Sequence, residues 1–412
     1  MSSYSSADDE YDSDEPPELV LDLDKLKDRA TETMHAACIS VKRLTRGSRH
    51  EIFALKFEET DATPHESLIR AKYSCIARFA RVKGTVAKEE SEIATIRYLK
   101  QHTSIPVPEI YYEDLDPVNE VGAAFVLMER LPGRHLYKIW DDLSLDNKKA
   151  ALSEIASVMV QFASLRFDQI GCLTQGGIGP IVSPCYEVPK GPFDSTLAYL
   201  ESFVSTDLAE SPELAELFQQ IRTELAMFTC QDNLVYLEPP FVLVHADFDA
   251  QNMLFVEPSD GSGLKLTGLI DFEFAHTGPV YHLYEYPIFI QDVSWSKHLY
   301  AENATLRAHF VSQIFNSLPD SDAQKSFITA INSKCFLLNS FQDTFMSMKC
   351  SEDTLIQSAT YYLKSLKDGT GLAYSGRLDY KPELYSDLGK PIDSETPVTA
   401  DETLAEGSGD EA

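Results

Sequence analysis

Leu243-Val-His-Ala-Asp-Phe-Asp-Ala-Gln-Asn-Met-Leu-Phe255 is the stretch whose reading decides the fold. An apolar run over residues 241–244 delivers His245 and Asp247 to a polar turn. Asn252 follows five positions after Asp247, where the next apolar run, 253–256, begins. A third run, 264–270, follows an Asp260-Gly261 turn and ends in Leu269-Ile-Asp-Phe-Glu273. Either phrase alone arises by chance in many chains. Here both occur, in order, each at the end of an apolar strand-like run. The side chains suit phosphoryl transfer. One carboxylate orients an acceptor hydroxyl and takes its proton, while an amide oxygen and a second carboxylate hold a divalent cation against phosphate oxygens. Hard oxygen ligands favour Mg²⁺ or Mn²⁺.

Upstream of this stretch, short apolar runs dominate. Residues 26–40 predict a helix, and 41–44 and 52–57 predict strands flanking Thr45-Arg-Gly-Ser-Arg-His50. A polar insertion over 58–71 precedes a third strand at 73–79. Residues 88–101 carry Ile93, Ile96, Tyr98 and Leu99 at helical spacing, and Pro106 and Pro108 end that segment. Strands at 109–112 and 123–128 follow, and Pro132-Gly133 punctuates. Downstream, helical spacing predominates over 150–165, 194–205, 211–228, 298–316, 322–346 and 352–366. The expected architecture is α+β and bilobal: a small β-rich N-lobe over 25–129 and a larger, mainly helical C-lobe over 130–385, with ligand in the cleft between them.

The formal charge of -30 is concentrated at the ends, where residues 1–24 carry nine acids and no Lys or Arg, and 386–412 carry eight acids against Lys390. Such tails are expected to stay solvated and disordered, serving solubility or docking a protein partner. The acidic balance argues against a nucleic-acid partner. Seven scattered cysteines without a CxxC spacing argue against a disulfide framework or a zinc site. No apolar run is long enough to span a membrane, and the acidic N-terminus has no presequence character. The expected compartment is the cytoplasm, with the nucleus as the alternative.

With those residues in view, the chain resembles the aminoglycoside phosphotransferase and choline kinase-like branch of the protein-kinase-like superfamily. HxDxxxxN followed by IDxE is that branch's form of the catalytic loop and metal-binding Asp. Fungal members in particular are similar at Ile105-Pro-Val-Pro108, Phe125-Val-Leu-Met-Glu-Arg-Leu-Pro-Gly133, Phe167-Asp-Gln-Ile-Gly-Cys-Leu173, Gly191-Pro-Phe193 and Gly278-Pro279. The resemblance runs from about residue 41 to 290. It implies a protein-kinase-like fold, ATP and Mg²⁺ as cofactors, Asp247 as catalytic base or hydroxyl-orienting residue, and Asn252 and Asp271 as metal ligands. His245 then braces the loop, Asp249 is a turn residue or lines the acceptor pocket, and Glu273 makes a structural hydrogen bond.

Kinases place a Lys on the third strand, paired with a Glu of the next helix. Here Cys75-Ile-Ala-Arg-Phe79 offers Arg78 and Lys88-Glu-Glu-Ser-Glu-Ile93 offers Glu92. Arg is a planar fork able to take phosphate oxygens bidentately; the alternative reading is an ordinary salt bridge. The phosphate-covering loop would be 45–50, with the backbone of Ser48 as donor and Arg43, Arg46 and Arg49 either attracting triphosphate or merely solvated. The carbonyl of Glu129 and the N–H of Leu131 would hold adenine. Residues 281–286 and Trp295 either pack the core or contribute to the acceptor pocket. The expected acceptor is a hydroxyl on a small, neutral or cationic molecule, with choline and ethanolamine ranked lower because residues 275–282 depart from the choline-kinase pattern. Two other readings compete. One is a degenerate kinase fold that binds nucleotide or a protein partner, motivated by Arg78 and the glycine-poor loop. The other is a protein kinase, disfavoured by the missing activation segment after Glu273.

Overall fold

Alternation along one strand separates apolar core from charge in the first part of the chain. The computed structural model describes residues 18–47, 49–59, 72–81, 86–182, 189–230, 237–258, 263–291, 298–346 and 351–369. Strands β1 (Cys38–Arg46), β2 (His50–Phe57), β3 (Ser74–Ala80), β4 (Ile110–Asp114) and β5 (Phe125–Glu129) form an antiparallel sheet in the order β1-β2-β3-β5-β4. Side chains alternate faces along a strand, so Cys75, Ala77 and Phe79 of β3 share one face and Ile76 and Arg78 the other. The first face buries against helix α1 (Leu23–Met34), with Leu26, Ala30 and Met34 joining Phe53, Leu55, Phe79 and Phe125 in one apolar cluster. Phe79 stacks on Phe125 at 5.3 Å and meets Phe53 edge-on at 5.6 Å. Both arrangements suit the quadrupoles of the rings. On the other face lies helix α2 (Val86–His102), whose Glu92 pairs with Arg78.

Two local features differ from expectation. The first helix is shorter and earlier than 26–40. Asp22 caps it by accepting from the N–H groups of Asp24 and Lys25, and it ends at His35, which takes a left-handed φ of 51°. Cys38 then pairs with Phe57, so ladder formation with β2 overrides helical spacing in residues 36–40. Residues before 25 also make contacts in the fold: Glu18 pairs with Arg43 at 2.9 Å and the Asp22 N–H reaches the Val121 carbonyl at 2.9 Å.

By its contacts the chain divides into a unit of residues 1–102 and 107–132 and a second unit of 103–106 and 133–412. The break falls after Pro132 rather than after Glu129. Gly133 has φ +120° and runs so close to the neighbouring strand that a Cβ would lie 2.9 Å from the Phe255 carbonyl oxygen. It admits β6 (Arg134–His135) to the edge of a three-stranded sheet with β10 (Met253–Val256) and β11 (Lys265–Leu269).

In the second unit helices dominate, as expected. Helix α3 (Leu145–Ser164), capped by Ser144, packs on α7 (Tyr300–Ser317), and α5 (Pro212–Thr229) packs on α10 (Glu352–Asp368). The short α4 (Thr196–Glu201) and α6 (Val280–Leu283) lie between these in sequence. The single helix expected over 322–346 is two, α8 (Ser321–Ala330) and α9 (Ser333–Met346). Asn332 interrupts it because its side chain accepts from the N–H groups of Lys334 and Cys335 and so starts a new helix. The β-rich stretch also divides: β9 (Val242–Val244) pairs with β12 (His276–Gly278), not with β10. A separate hairpin, β7 (Cys172–Thr174) and β8 (Gly177–Gly179), supports β12 through Gly171, whose N–H donates to Thr277 Oγ1 at 2.9 Å.

Gly171 is held tightly there, since a Cβ would lie 2.1 Å from the Gly179 carbonyl oxygen. Gly171→Ala must therefore displace backbone beside β12. We expect it to lower stability by about 2 kcal/mol, read as a reduced urea midpoint with an unchanged m-value.

Candidate active site

Strand β9 ends at Val244, and the chain turns through His245–Asp249 into a single 3-10 turn, Ala250–Asn252, that feeds β10. Each residue of the turn has a local task. The Asp249 carboxylate accepts from the Ala250 N–H at 2.6 Å and the Asp249 carbonyl accepts from the Asn252 N–H at 2.9 Å, so Asp249 is a turn residue, and it also lines the cavity described below. The Asn252 amide donates to the Asp247 carbonyl at 2.9 Å and to Asp247 Oδ2 at 2.8 Å. Its nitrogen is thereby engaged, and Oδ1 remains as the donor atom for a cation.

The second phrase is tied to the first by the backbone. The Ile270 N–H donates to the Asn252 carbonyl at 3.0 Å, so Asp271 emerges beside Asn252. His245 makes the same connection through its ring. Nε2 lies 3.1 Å from the Ile270 carbonyl and Nδ1 lies 3.3 Å from the Asp247 N–H. Only a neutral ring protonated on Nε2 satisfies both contacts. Burial pushes its pKa down to about 4 against the pull of Asp271, so the ring stays neutral at pH 7. Ala246 and Asp271 hold φ values of 60° and 66°, a left-handed backbone that costs a non-glycine residue about 1 kcal/mol or more. That cost is concentrated where the two phrases meet.

Burial raises the Asp247 carboxyl, and the charges of Asp271, Asp249 and Glu273 raise it further against the Asn252 hydrogen bond. Negative charge gathered around Asp247 in this way suits a bound divalent cation. Asn252 Oδ1 and Asp271 are the hard oxygen donors that fit Mg²⁺. Asp247 also faces a cavity of about 340 Å³ within this unit, walled in part by Phe162, Phe248, His276, His282, Glu285 and Tyr286. Of the aromatic stretch after β12, Tyr281 and Tyr284 are core and Tyr286 lines this cavity. Trp295 lies outside the described residues.

The first unit holds a second charged cluster. Arg78 bonds to Glu92 and lies 3.6 Å from Glu89 Oε2, and its Nη2 donates to His50 Nδ1 at 3.1 Å. His50 Nε2 in turn meets Glu89 Oε1 at 2.9 Å. Arg can only donate, so His50 must accept at Nδ1 and donate from Nε2, which again makes it a neutral ring. Burial and the adjacent Arg78 charge lower its pKa accordingly. His50, Glu89 and Glu92 are spaced as metal ligands could be. Arg78 and, at 3.8 Å, Lys88 already balance the two carboxylates, so this is a cation cage for a protein side chain, not for an ion.

The Arg78–Glu92 pair is therefore present, but His50 and Glu89 complete it and sequence reasoning did not find them. The available signal was the three-residue spacing of Glu89 and Glu92 on one helix face. Arg43 is committed to Glu18 and Glu51, both at 2.9 Å, instead of standing ready for triphosphate. Gly47 is fixed by Arg81, which donates to its carbonyl; Ser48 lies outside the described residues. Glu129 closes β5 with its carboxylate accepting from the Glu109 N–H at 3.2 Å, and Leu131 follows next to the unit boundary.

Burial alone would raise the Glu89 carboxyl, but His50, Arg78 and Lys88 outweigh it and hold it at about 2. A carboxyl depressed in the folded state contributes stability above its ordinary value of 4.5, and that contribution is lost as pH falls towards 2. Glu89→Ala should cost about 3 kcal/mol in urea unfolding at pH 7. Glu89→Gln should flatten the dependence of stability on pH across that acid range.

A model of the phosphotransferase enzyme family matches residues 68–282, more than half of the chain. A subtelomeric hrmA-associated cluster protein of Aspergillus fumigatus is 35% identical over 83 residues, 20% of this chain and 16% of that protein. Altered inheritance of mitochondria protein 9 of Candida tropicalis is 29% identical over 140 residues, 32% of this chain and 21% of that one. The chain thus spans only a minor part of the length of these relatives. Among solved structures, the ADP-bound aminoglycoside phosphotransferase APH(2'')-Ib aligns over 84% of this chain and 99% of its own, at 13% identity and a TM-score of 0.47. The family model takes in the third strand, the catalytic-loop phrase and the Asp271 phrase together, and on that match the chain belongs to the phosphotransferase enzyme family.

Proposed function

We propose that the chain is an ATP- and Mg²⁺-dependent phosphotransferase that moves the γ-phosphate of ATP onto a hydroxyl of a small molecule. The observation that carries this reading is the Asn252 amide bonded to both the carbonyl and the carboxylate of Asp247. It fixes Asp247 Oδ2 and leaves Oδ1 to accept from an acceptor hydroxyl in the adjoining cavity. The hydroxyl oxygen forms the new bond to phosphorus as the bond to ADP breaks, and its proton passes to Asp247. Burial and the surrounding carboxylates, by raising the Asp247 carboxyl, make it a better base than an exposed Asp. Asn252 Oδ1 and Asp271 are the ligands assigned to Mg²⁺, which when bound neutralises charge on the phosphate oxygens. Arg78, oriented by Glu92, Glu89 and His50, is assigned to the nucleotide phosphates, with the backbone of Ser48 as a further donor. The Glu129 carbonyl and Leu131 N–H are assigned to adenine.

The cavity's volume, about 340 Å³, is at the low end for ligand pockets, so a compact acceptor fits it better than a large one. Asp249, Glu285 and Asp343 on its wall favour an acceptor that also bears positive charge. The degenerate-fold reading draws support from Arg78, whose guanidinium is already engaged by Glu92 and His50. Mg²⁺-dependent thermal stabilisation by ATP, without turnover against a broad set of hydroxyl compounds, would favour it.

With the full chain, ATP consumption should require Mg²⁺ and fall about a thousand-fold in Asp247→Ala, while ATP still raises that variant's melting temperature. Undiminished turnover in Asp247→Ala would remove Asp247 from the reaction and the reading with it.

A further inference from the structure

The second unit holds another cavity, of about 250 Å³, built from segments that also wall the one Asp247 faces. Helix α3 turns Met159 and Phe162 to the first cavity and Val160 and Ala163 to the second. Residues 280–286 divide in the same way: His282 and Glu285 line the first, Val280 and Tyr284 the second. The link between α7 and α8 adds Leu318 and Pro319, and Ala323 of α8 completes a mainly aliphatic lining.

Its charge is the reverse of the chain's. The protein carries a formal charge of -30, and Asp247, Asp249, Glu285 and Asp343 line the first cavity, yet no Asp or Glu lines the second. One charged side chain does: Arg166, just past the end of α3. It is exposed, and no carboxylate among the described residues lies within ion-pair reach of it. Tyr284 is 4% exposed, and its hydroxyl has no hydrogen-bond partner among the described residues. That hydroxyl is nonetheless not one of the fully sealed polar atoms, and the surface it keeps opens on the cavity its side chain lines. Burial raises its pKa, and the Arg166 charge, alone among the described groups, pulls it back. The guanidinium is thus within electrostatic reach of the hydroxyl. An apolar cavity with a few polar groups is the usual form of a small-molecule site. Methyl and methylene walls suit an aliphatic body, and an unpaired cation suits an anion. An alcohol answers only the first demand, and a dianion exceeds the single positive charge on offer.

We propose that this second cavity binds an aliphatic monocarboxylate, with its chain against Val160, Val280 and Leu318 and its carboxylate on Arg166 and the Tyr284 hydroxyl. At roughly 30 Å³ for each water-sized group, the cavity holds a chain of about eight carbons. Binding makes and breaks no covalent bond, and the site stands apart from the one assigned to phosphoryl transfer.

The test is equilibrium dialysis of the full chain, without ATP, against ¹⁴C-labelled carboxylates from butanoate to dodecanoate and against labelled 1-octanol. Octanoate is expected to saturate one site per chain. Affinity should rise about four-fold per methylene until the cavity is filled, and then level off. Arg166→Gln, a change at an exposed position, should weaken octanoate about five-fold and leave 1-octanol unchanged. Ala323→Phe, which puts a ring into the cavity, should abolish octanoate binding at a melting temperature close to that of the wild type. Should that variant fail to fold, the comparison of octanoate with 1-octanol in Arg166→Gln decides the question by itself. Octanoate uptake that does not saturate, 1-octanol binding as tight as octanoate, or octanoate binding unchanged in Arg166→Gln each overturns the inference. With no ATP in the assay, none of these outcomes bears on the phosphotransferase reading, which the Asp247→Ala turnover experiment tests separately.

Discussion

Everything at the candidate active site depends on the neutral His245 ring, which holds two separate loops in one register. One nitrogen accepts from the Asp247 N–H and the other donates to the Ile270 carbonyl. The ring therefore measures out the separation between the loop that carries Asp247 and Asn252 and the strand end that carries Asp271. The backbone bond from Ile270 to Asn252 acts in parallel, and the left-handed residues Ala246 and Asp271 are what these constraints over-determine. A protonated ring could not make both contacts, since the Asp247 N–H would face a second donor. Deep burial, by keeping His245 neutral, is thus part of the site's geometry.

The two charged clusters have opposite electrostatic logic. In the first unit Glu89 and Glu92 are matched by Arg78 and Lys88 around a neutral His50, so the cluster is complete without a ligand ion. Its buried charges are paired and hydrogen-bonded, as low-dielectric surroundings demand. In the second unit burial raises the Asp247 carboxyl, and the charges of Asp271, Asp249 and Glu273 raise it further. Negative charge gathered in this way suits a divalent cation, whereas the carboxylates around His50 already have cationic side chains beside them. Spacing of ligand atoms alone would have chosen the cluster around His50.

Residue order made much of this legible. Asp247, Asn252 and Asp271 stand at the ends of short apolar runs, and strands terminate where polar residues begin, so both phrases announced themselves. The alternation Cys75-Ile-Ala-Arg-Phe79 likewise separates Arg78 from the apolar face that Phe79 shares with Phe53 and Phe125. Less legible were partners remote in the chain. His50 reaches Glu89 across 39 positions and His282 reaches Gln342 across 60, and no periodicity connects them. Local spacing also misled over residues 36–40 and at Asn332, where strand pairing and a side-chain cap prevailed over helical pattern.

By itself the sequence determined the α+β class, the order of β1 to β5 with α2 between β3 and β4, and the identities of the acidic and amide groups, because these follow from short-range periodicity and from which atoms a side chain carries. Tertiary structure alone decided that β9 pairs with β12, that Arg78 is caged by two carboxylates and a histidine, and which histidine nitrogen bears each proton. The physical reason is that ring protonation and ion pairing are properties of contacts. Those contacts exist only once segments far apart in the chain are packed together and water is gone from between them.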